Sequence, residues 1–222
     1  MERQKYAQRH KERYLDWLDN VRCGPYTTLD KLEFAIISAH TPMEAAIQGW
    51  GASRNSTTMD DYANALNDNG VLAAFNKAGY VWRMREMLVD DKNCPQADYR
   101  EYRRTVKLPG LGWSKLSFAS CLIDPFNSSI VCLDTHMLDA LVPGITEKEK
   151  AIAFRKLERY EQIESILIGE AVEVDTPLFA YQWAVWDYVR STKTGKAAES
   201  HSFLWDGKYC RFQLPMFSGM IQ

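Results

Sequence analysis

The chain has 222 residues, of which 46% are hydrophobic and 25% are charged, as is usual for a globular protein. No apolar run reaches the ~18 residues that a membrane span needs, and the charged N-terminus lacks the apolar segment of a secretory signal. A net charge of −2 at pH 7 does not by itself indicate a nucleic-acid ligand. We therefore expect a protein without membrane association that is cytoplasmic or, if eukaryotic, nuclear.

Helical periodicity and capping sequences predict an all-α chain, with residues 129–133 as the best candidate for a short strand. Expected N-caps are Thr41, followed by Pro42 at the first helical position, Thr58 and Thr146. Gly79 is expected to interrupt a helix, and the tail from residue 191 is expected to be irregular. In chain order, the predicted helices cover residues 3–20, 29–40, 42–50, 58–67, 71–78, 80–88, 98–107, 113–123, 135–141, 147–167 and 177–190.

The cysteines are five in number and widely spaced. The number is odd and no Cys-x-x-Cys pair occurs, so the sequence favours neither a structural zinc site nor a disulfide framework. We expect reduced and mostly buried thiols at Cys23, Cys94, Cys121, Cys132 and Cys210.

A glycine hairpin is predicted at Leu108–Gly112, within the most basic stretch of the sequence. From Tyr99 to Lys115 this stretch contains five basic residues and a single acidic residue, Glu101. Glycine permits a positive φ and a close approach of backbone to a partner. The helix expected from Trp113 points its free N–H groups out of the hairpin, which creates an anion site suited to a phosphate. The alternative is a tight helix–helix turn without a ligand.

Two segments, LPGLGWSK at 108–115 and CLDTHM at 132–137, resemble the helix-hairpin-helix (HhH-GPD) DNA glycosylase superfamily, in particular its endonuclease III and adenine-glycosylase branch. The order is that of the family: hairpin, apolar helix, loop, then an aspartate before Thr-His, with a loop at 124–129 that is slightly longer than usual. Weaker matches are residues 37–41 and 78–80.

The resemblance covers roughly residues 30–142 and implies an all-α fold with two lobes around a cleft. Within a single unit of residues 1–222, one lobe holds the hairpin at about 30–142. The second lobe combines residues 1–29 with 143–222.

The resemblance implies that Asp134 is the catalytic residue of a DNA glycosylase. Breaking an N-glycosidic bond builds positive charge on the sugar, and a fixed carboxylate stabilises that charge and can orient or deprotonate a water. Asp134 also stands where an N-cap is expected, and it can fill both roles.

Relatives in this superfamily that also cut the DNA backbone carry a lysine nucleophile two residues after the second hairpin glycine. In this chain Ser114 occupies that position. Lys115 stands one residue later, and one residue turns a side chain by ~100° around a helix. We therefore expect a monofunctional enzyme without AP-lyase activity, in which Lys115 contacts phosphate or solvent.

The resemblance also implies other contacts. His40 and Tyr80 are candidates for filling the gap left by a flipped base, with helix capping and core packing as their alternatives. The remaining expected DNA contacts are Lys107, Leu108, Gly110, Leu111, Gly112 and Trp113. A base pocket is expected at Gln182, Trp183 and Trp186, although an aromatic stripe can equally be core.

The resemblance suggests a monovalent cation, Na⁺ or K⁺, at the hairpin. Backbone carbonyls of Val106, Leu108 and Leu111 would hold it. No iron–sulfur cluster is expected, because Cys210 is the only cysteine in the C-terminal region where some relatives carry four.

Three functions remain open. The first is base-excision DNA repair, in which a damaged, mismatched or modified base is flipped and removed. The second is group transfer onto thymine-derived bases, as proposed for a related phage group. The third is a non-catalytic DNA-binding module, against which Asp134 argues. The expected partner is double-stranded DNA, bound by a monomer in a nucleoid, a phage-infected cell or a nucleus.

Overall fold

The computed structural model describes residues 2–23, 27–88 and 99–195. This part of the chain contains twelve helices and no strand, which confirms the all-α fold class. None of the helices in these ranges is both long and apolar enough to cross a bilayer. In chain order the helices are α1 (Glu2–Arg9), α2 (Lys11–Cys23), α3 (Thr28–Ile37), α4 (Met43–Ser53), α5 (Met59–Asp68), α6 (Ala74–Met87), α7 (Tyr99–Thr105), α8 (Trp113–Ile123), α9 (Thr135–Leu141), α10 (Glu147–Ala153), α11 (Leu157–Glu173) and α12 (Leu178–Thr194).

The described residues form two compact units. The central unit is Tyr26–Ala119, and the terminal unit takes its residues from Met1–Pro25 and Ser120–Gln222. The division falls inside α8, whereas the resemblance grouped residues up to 142 with the hairpin. The lobe boundary that the resemblance implies stays a prediction.

The central unit is organised around α3, in which residues 31–38 are all buried. Thr27 and Asp30 form a capping box that starts this helix. Helix α3 packs against α4 and α6, and α5 packs against the same two helices. The core tolerates the buried Glu33 because Arg85 donates two hydrogen bonds to its carboxylate, at 2.6 and 2.9 Å.

The terminal unit is organised around α12, which packs against α1, α2, α9 and α11. Tyr14 on α2 donates a 2.6 Å hydrogen bond to the buried Asp187. Burial, with the charge of Asp187, raises the pKa of the Tyr14 hydroxyl, which keeps it a donor. On α1, Arg3 donates to Glu170 at 2.9 Å, and Glu170 also accepts from Tyr181 at 2.8 Å. These contacts attach both N-terminal helices to the unit.

Several local predictions are confirmed. Helices α8 and α9 begin and end at the predicted residues, and Thr58 and Thr146 cap α5 and α10 through their side chains. Four apolar side chains of the segment predicted as the first helix are buried: Tyr6, Tyr14, Trp17 and Leu18.

Two predicted helix boundaries in the central unit are wrong. Helix α6 runs through Gly79 without interruption, since its packing against α3 and α5 outweighs the ~1 kcal/mol cost of an interior glycine. Thr41 does not cap α4; Pro42 holds that position. The Thr41 hydroxyl is engaged elsewhere, because it donates to the Ala39 carbonyl and accepts from Lys77.

Four predictions in the terminal unit also need correction. The segment expected as one N-terminal helix is two, with a turn at His10 between α1 and α2. The segment after Thr146 is likewise divided into α10 and α11. Residues 129–133 have no strand partner within the described ranges. Helix α12 continues to Thr194, beyond the predicted end at 190.

Cys121 is a buried free thiol and Cys132 a half-buried one. The thiols of Cys23, Cys94 and Cys210 lie outside the described side chains, so the expectation that no iron–sulfur cluster is present stays a prediction.

Candidate active site

The hairpin Leu108–Gly112 is present and tightly closed. Leu108 and Leu111 form an antiparallel bridge, in which Leu111 N–H donates to the Leu108 carbonyl at 3.2 Å. Gly110 has a φ of +74°, the left-handed region that favours glycine. Both leucines are buried and both glycines are exposed, so the hairpin is anchored by its apolar side chains and presents its glycine backbone.

Tyr80 on α6 packs closely against this hairpin. A Cβ built on Gly110 would lie 2.8 Å from Tyr80 Cβ and 2.9 Å from Tyr80 Cγ. The guanidinium of Arg83 lies over the Tyr80 ring, 5.2 Å from its centroid. Tyr80 is still 37% exposed, so it combines a structural contact with an accessible surface.

The first turn of α8 follows the hairpin directly. Trp113, Ser114 and Lys115 are half-buried there, and Lys107 before the hairpin is exposed. The Lys115 ammonium donates to Ser38 Oγ at 3.3 Å and lies 5.5 Å from the centroid of the Phe118 ring. Lys115 is therefore directed towards the end of α3, while Ser114 stands two residues after Gly112 in the first turn of α8.

His40 lies in the turn between α3 and α4. It is exposed and has a φ of +52°, an unusual conformation for a residue with a side chain. His40 and Tyr80, the two residues expected near a flipped base, thus both belong to the central unit and both reach its surface.

The expected cation ligands are neutral backbone carbonyls of Val106, Leu108 and Leu111, an oxygen donor type that suits Na⁺ or K⁺. The Leu108 carbonyl already accepts one hydrogen bond, from Leu111, and a carbonyl oxygen has a second lone pair. The donors present are compatible with such an ion. Elsewhere in the described ranges, no group of three or more His, Cys, Asp or Glu side chains could hold a metal.

The segment Val131–Leu133 leads to Asp134 and pairs with no strand in the part of the chain that the structure describes. Side chains of α11 and α12 satisfy its backbone instead. Its three N–H groups donate, in chain order, to Glu164 Oε1 at 2.7 Å, Gln182 Oε1 at 3.0 Å and the Tyr160 hydroxyl at 2.8 Å. Tyr160 in turn donates to the Val131 carbonyl at 2.7 Å. The backbone before the acid is held at every residue.

Asp134 is the N-cap of α9, with extended backbone at φ −112° and ψ 179°. Its Oδ1 accepts from Met137 N–H at 2.8 Å, which confirms the predicted cap. Its Oδ2 accepts from the indole N–H of Trp186 at 2.9 Å. Asp134 is half-buried, so the carboxylate is held by two donors and still reaches solvent.

The three residues predicted for a base pocket have three different surroundings. Trp186 contacts Asp134, and the Arg190 guanidinium lies over its ring at 4.4 Å from the centroid. Gln182 holds the backbone of Cys132. Trp183 is only 5% exposed and packs among aromatic rings, which is core packing.

Sequence reasoning missed Glu164 and Tyr160 as supports of the acid-bearing segment. Both residues lie in the helix predicted at 147–167, and a fully buried Glu164 carries no local mark that distinguishes it from a surface glutamate. The role of Trp186 as a partner of Asp134 was also missed, because the two residues are 52 positions apart.

Comparison with known proteins gives matches to solved structures alone: no protein-family model and no curated protein matches the chain. The 8-oxoguanine DNA glycosylase of Thermotoga maritima is 18% identical, with a TM-score of 0.65 over 84% of this chain and 95% of that one. The 8-oxoguanine glycosylase/lyase of Methanocaldococcus jannaschii, solved with a 15mer DNA containing 8-oxoguanine, is 19% identical, with a TM-score of 0.62 over 89% and 99%.

A second structure of the Methanocaldococcus jannaschii 8-oxoguanine DNA glycosylase is 17% identical, with a TM-score of 0.52 over 89% of this chain and 90% of that one. At these identities the likeness establishes the fold. The chain has the helical fold of these DNA glycosylases, as the hairpin and Asp134 motifs predicted. Assignment to the endonuclease III and adenine-glycosylase branch stays a prediction, since all three structures are 8-oxoguanine glycosylases.

Proposed function

We propose that this protein is a DNA glycosylase that hydrolyses the N-glycosidic bond of a flipped nucleotide with Asp134. The observation that carries the proposal is the geometry of this carboxylate. It follows a segment whose three N–H groups all donate hydrogen bonds, both of its oxygens accept from N–H donors, and it is only half-buried. The shared fold with solved DNA glycosylases supports the same reaction class.

In this reaction the C1′–N bond breaks and the base departs with the bonding electron pair, which leaves positive charge on the sugar. The ionised carboxylate of Asp134 stabilises that charge. A water oxygen then bonds to C1′, its proton passes to a lone pair of Asp134, and the departing base is protonated by solvent. Four lone pairs on an ionised carboxylate allow this even with two N–H donors in place.

The hairpin would hold the DNA while this happens. Exposed Gly110 and Gly112 precede the N-terminus of α8, and backbone N–H groups at such a position suit a phosphate. Phosphate contacts of this type position a duplex without reading its sequence, so base choice belongs to other residues. A monovalent cation on the carbonyls of the hairpin would add positive charge next to that phosphate.

We further propose that the enzyme removes bases without cutting the backbone. A lyase needs an amine at the sugar carbon, and the family slot holds Ser114. The neighbouring Lys115 is directed to Ser38 Oγ. Because the proteins of similar structure are 8-oxoguanine glycosylases, 8-oxoguanine is the first candidate substrate, and mismatched and modified bases come next.

The test is base release from duplexes that each contain one candidate lesion, followed by alkaline cleavage at abasic sites. We expect release by the wild type, loss of release in Asp134→Asn, and unchanged release in Asp124→Asn. Asp124 is a matched control, since its carboxylate also orders a turn by accepting from Asn127 N–H. Equal activity of wild type and Asp134→Asn would refute the role of Asp134.

Borohydride trapping separates the two forms of the reaction. We expect no covalent DNA adduct with the wild type, and an adduct once Ser114→Lys restores an amine to the slot. An adduct with the wild type that disappears in Lys115→Ala would refute the monofunctional assignment. A mass increase of the DNA without base release would instead indicate group transfer onto the base.

A further inference from the structure

Lys77 is a lysine on α6 whose side chain is almost completely buried, at 6% exposure. Its ammonium donates three hydrogen bonds: to the Ile37 carbonyl at 2.8 Å, the Ala39 carbonyl at 2.5 Å and the Thr41 hydroxyl at 2.6 Å. An ammonium has three donors and no acceptor, so this arrangement uses all of them. The mechanism proposed above gives Lys77 no part in catalysis.

All three acceptors belong to the end of α3 and the turn that follows it. The last carbonyls of a helix lack partners within the helix, and a cation near them also interacts favourably with the helix dipole. Lys77 therefore completes the C-terminus of α3 from a different helix. It bonds the turn at Ala39 and at Thr41, the residues on either side of His40.

His40 needs such support because its backbone is left-handed, with a φ of +52°. For a residue with a side chain this conformation is strained and persists where the surroundings impose it. The turn also contains weak internal bonds, from Ala39 N–H to Ile36 O at 3.2 Å and from Thr41 N–H to Ser38 O at 3.4 Å. The Lys77 ammonium makes the shortest bonds in the turn.

Keeping a charge at this position is costly to the fold. Burial, and secondarily the positive charge of Lys115, lower the pKa of the Lys77 ammonium to about 8. A methionine would fill the same space without that cost but would make none of the three hydrogen bonds, so what the ammonium adds at this position is the fixed geometry of the turn.

We propose that Lys77 is a positioning residue, which fixes the turn after α3 so that the exposed His40 side chain leaves the protein in the direction required to enter a DNA duplex at a flipped base. The inference rests on the proposed function for its purpose. The positioning of His40 by Lys77 does not depend on that function and is measurable without DNA.

The first measurement is NMR of the His40 imidazole, one of four in the chain, assigned by its loss in His40→Ala. We expect one sharp set of ring resonances in the wild type, and shifted or exchange-broadened ones in Lys77→Met. Thr41→Val is the milder variant, since it removes a single acceptor and keeps the shape. Lys150→Met is the control, because it removes the ammonium of another lysine whose side chain is largely buried, in the terminal unit.

The second measurement is affinity for a duplex with an abasic-site analogue. We expect His40→Ala to weaken binding about fivefold when it is made in the wild type. In the Lys77→Met or Thr41→Val background we expect it to weaken binding less than about twofold, because the effects of coupled residues are not additive. Unchanged His40 resonances with the same His40→Ala effect in every background would overturn the proposal. If the wild type binds no DNA, the proposed function fails, and the NMR result still decides whether Lys77 positions His40.

Discussion

The indole N–H of Trp186 donates a 2.9 Å hydrogen bond to Oδ2 of Asp134. The second carboxylate oxygen accepts from Met137 N–H at 2.8 Å, so the plane of the carboxylate is fixed by one bond from its own helix and one from α12. A carboxylate that stabilises developing charge works best when it is oriented before the reaction begins. Trp186 therefore has a definite part in the proposed chemistry, although it was predicted only as a pocket wall.

Trp186→Phe removes this donor and keeps an aromatic ring. A hydrogen bond to a charged group contributes about 1.5–3 kcal/mol, so we expect single-turnover base release to slow by about tenfold to hundredfold. Affinity for the DNA should change little, because the lost bond is internal to the protein. Rapid-quench base release and a binding titration on the same duplex measure the two effects.

Trp82→Phe is the matched control for that substitution. Trp82 is also half-buried and carries a guanidinium, that of Arg85, 4.9 Å from its ring centroid, but it belongs to the central unit. We expect it to leave the rate of release unchanged. A rate in Trp186→Phe equal to that of the wild type would mean that Asp134 needs no orientation from α12.

Three glycine-to-alanine substitutions separate the structural and binding roles of the hairpin. Gly70 lies outside the hairpin and serves as the reference. Gly70→Ala introduces only the strain of a positive φ, +75°, since no atom lies within 4 Å of its new Cβ. We expect it to cost about 1–2 kcal/mol of unfolding free energy. Gly110→Ala adds an approach of 2.8 Å to Tyr80 Cβ, and we expect a cost of about 2–4 kcal/mol.

Gly112→Ala completes the set, because its Cβ would enter open space and its φ is not left-handed. We expect a stability within about 0.5 kcal/mol of the wild type but weaker DNA binding, since a methyl group would stand where a phosphate approaches. Urea unfolding and a binding titration measure these effects. Unaltered DNA binding by a folded Gly112→Ala would leave the hairpin as a helix–helix turn without a ligand.

The lowered pKa of Lys77 predicts a rise of stability with pH. The pKa of Lys77 is about 8 in the folded chain and 10.5 ordinarily. Between these two pH values the unfolded chain still binds a proton that the folded chain has lost. The unfolding free energy of the wild type, minus that of Lys77→Met, should therefore increase by up to about 1.4 kcal/mol per pH unit across this window. Below about pH 8 both states are protonated, and the difference should be flat.

The measurement is urea unfolding of both proteins from about pH 7 to about pH 9.5, the range that covers the lower part of this window. Above it, the buried tyrosines act in the opposite direction: burial raises the pKa of Tyr14, Tyr62 and Tyr181, so the unfolded chain loses their protons first. A difference that stays constant across the range would show that Lys77 keeps its ordinary pKa.

Local sequence was sufficient wherever a few adjacent residues decide the conformation. The hairpin, the bounds of α8 and α9, and the capping by Asp134 and Thr146 were all predicted, because glycine, capping side chains and helix starts act within about one turn. The same local reasoning failed at Gly79, where contacts with other helices outweigh the weak helix propensity of glycine.

Tertiary structure alone decided which side chains meet at the candidate site. Trp186 reaches Asp134 across 52 positions, Lys77 reaches the His40 turn across about 40, and Glu164 holds Val131 across 33. Nothing in a run of neighbouring residues encodes such pairings, because they depend on how separate helices pack. The sequence by itself determined the fold class and the two motifs, while packing determined how the acid and the turn are held.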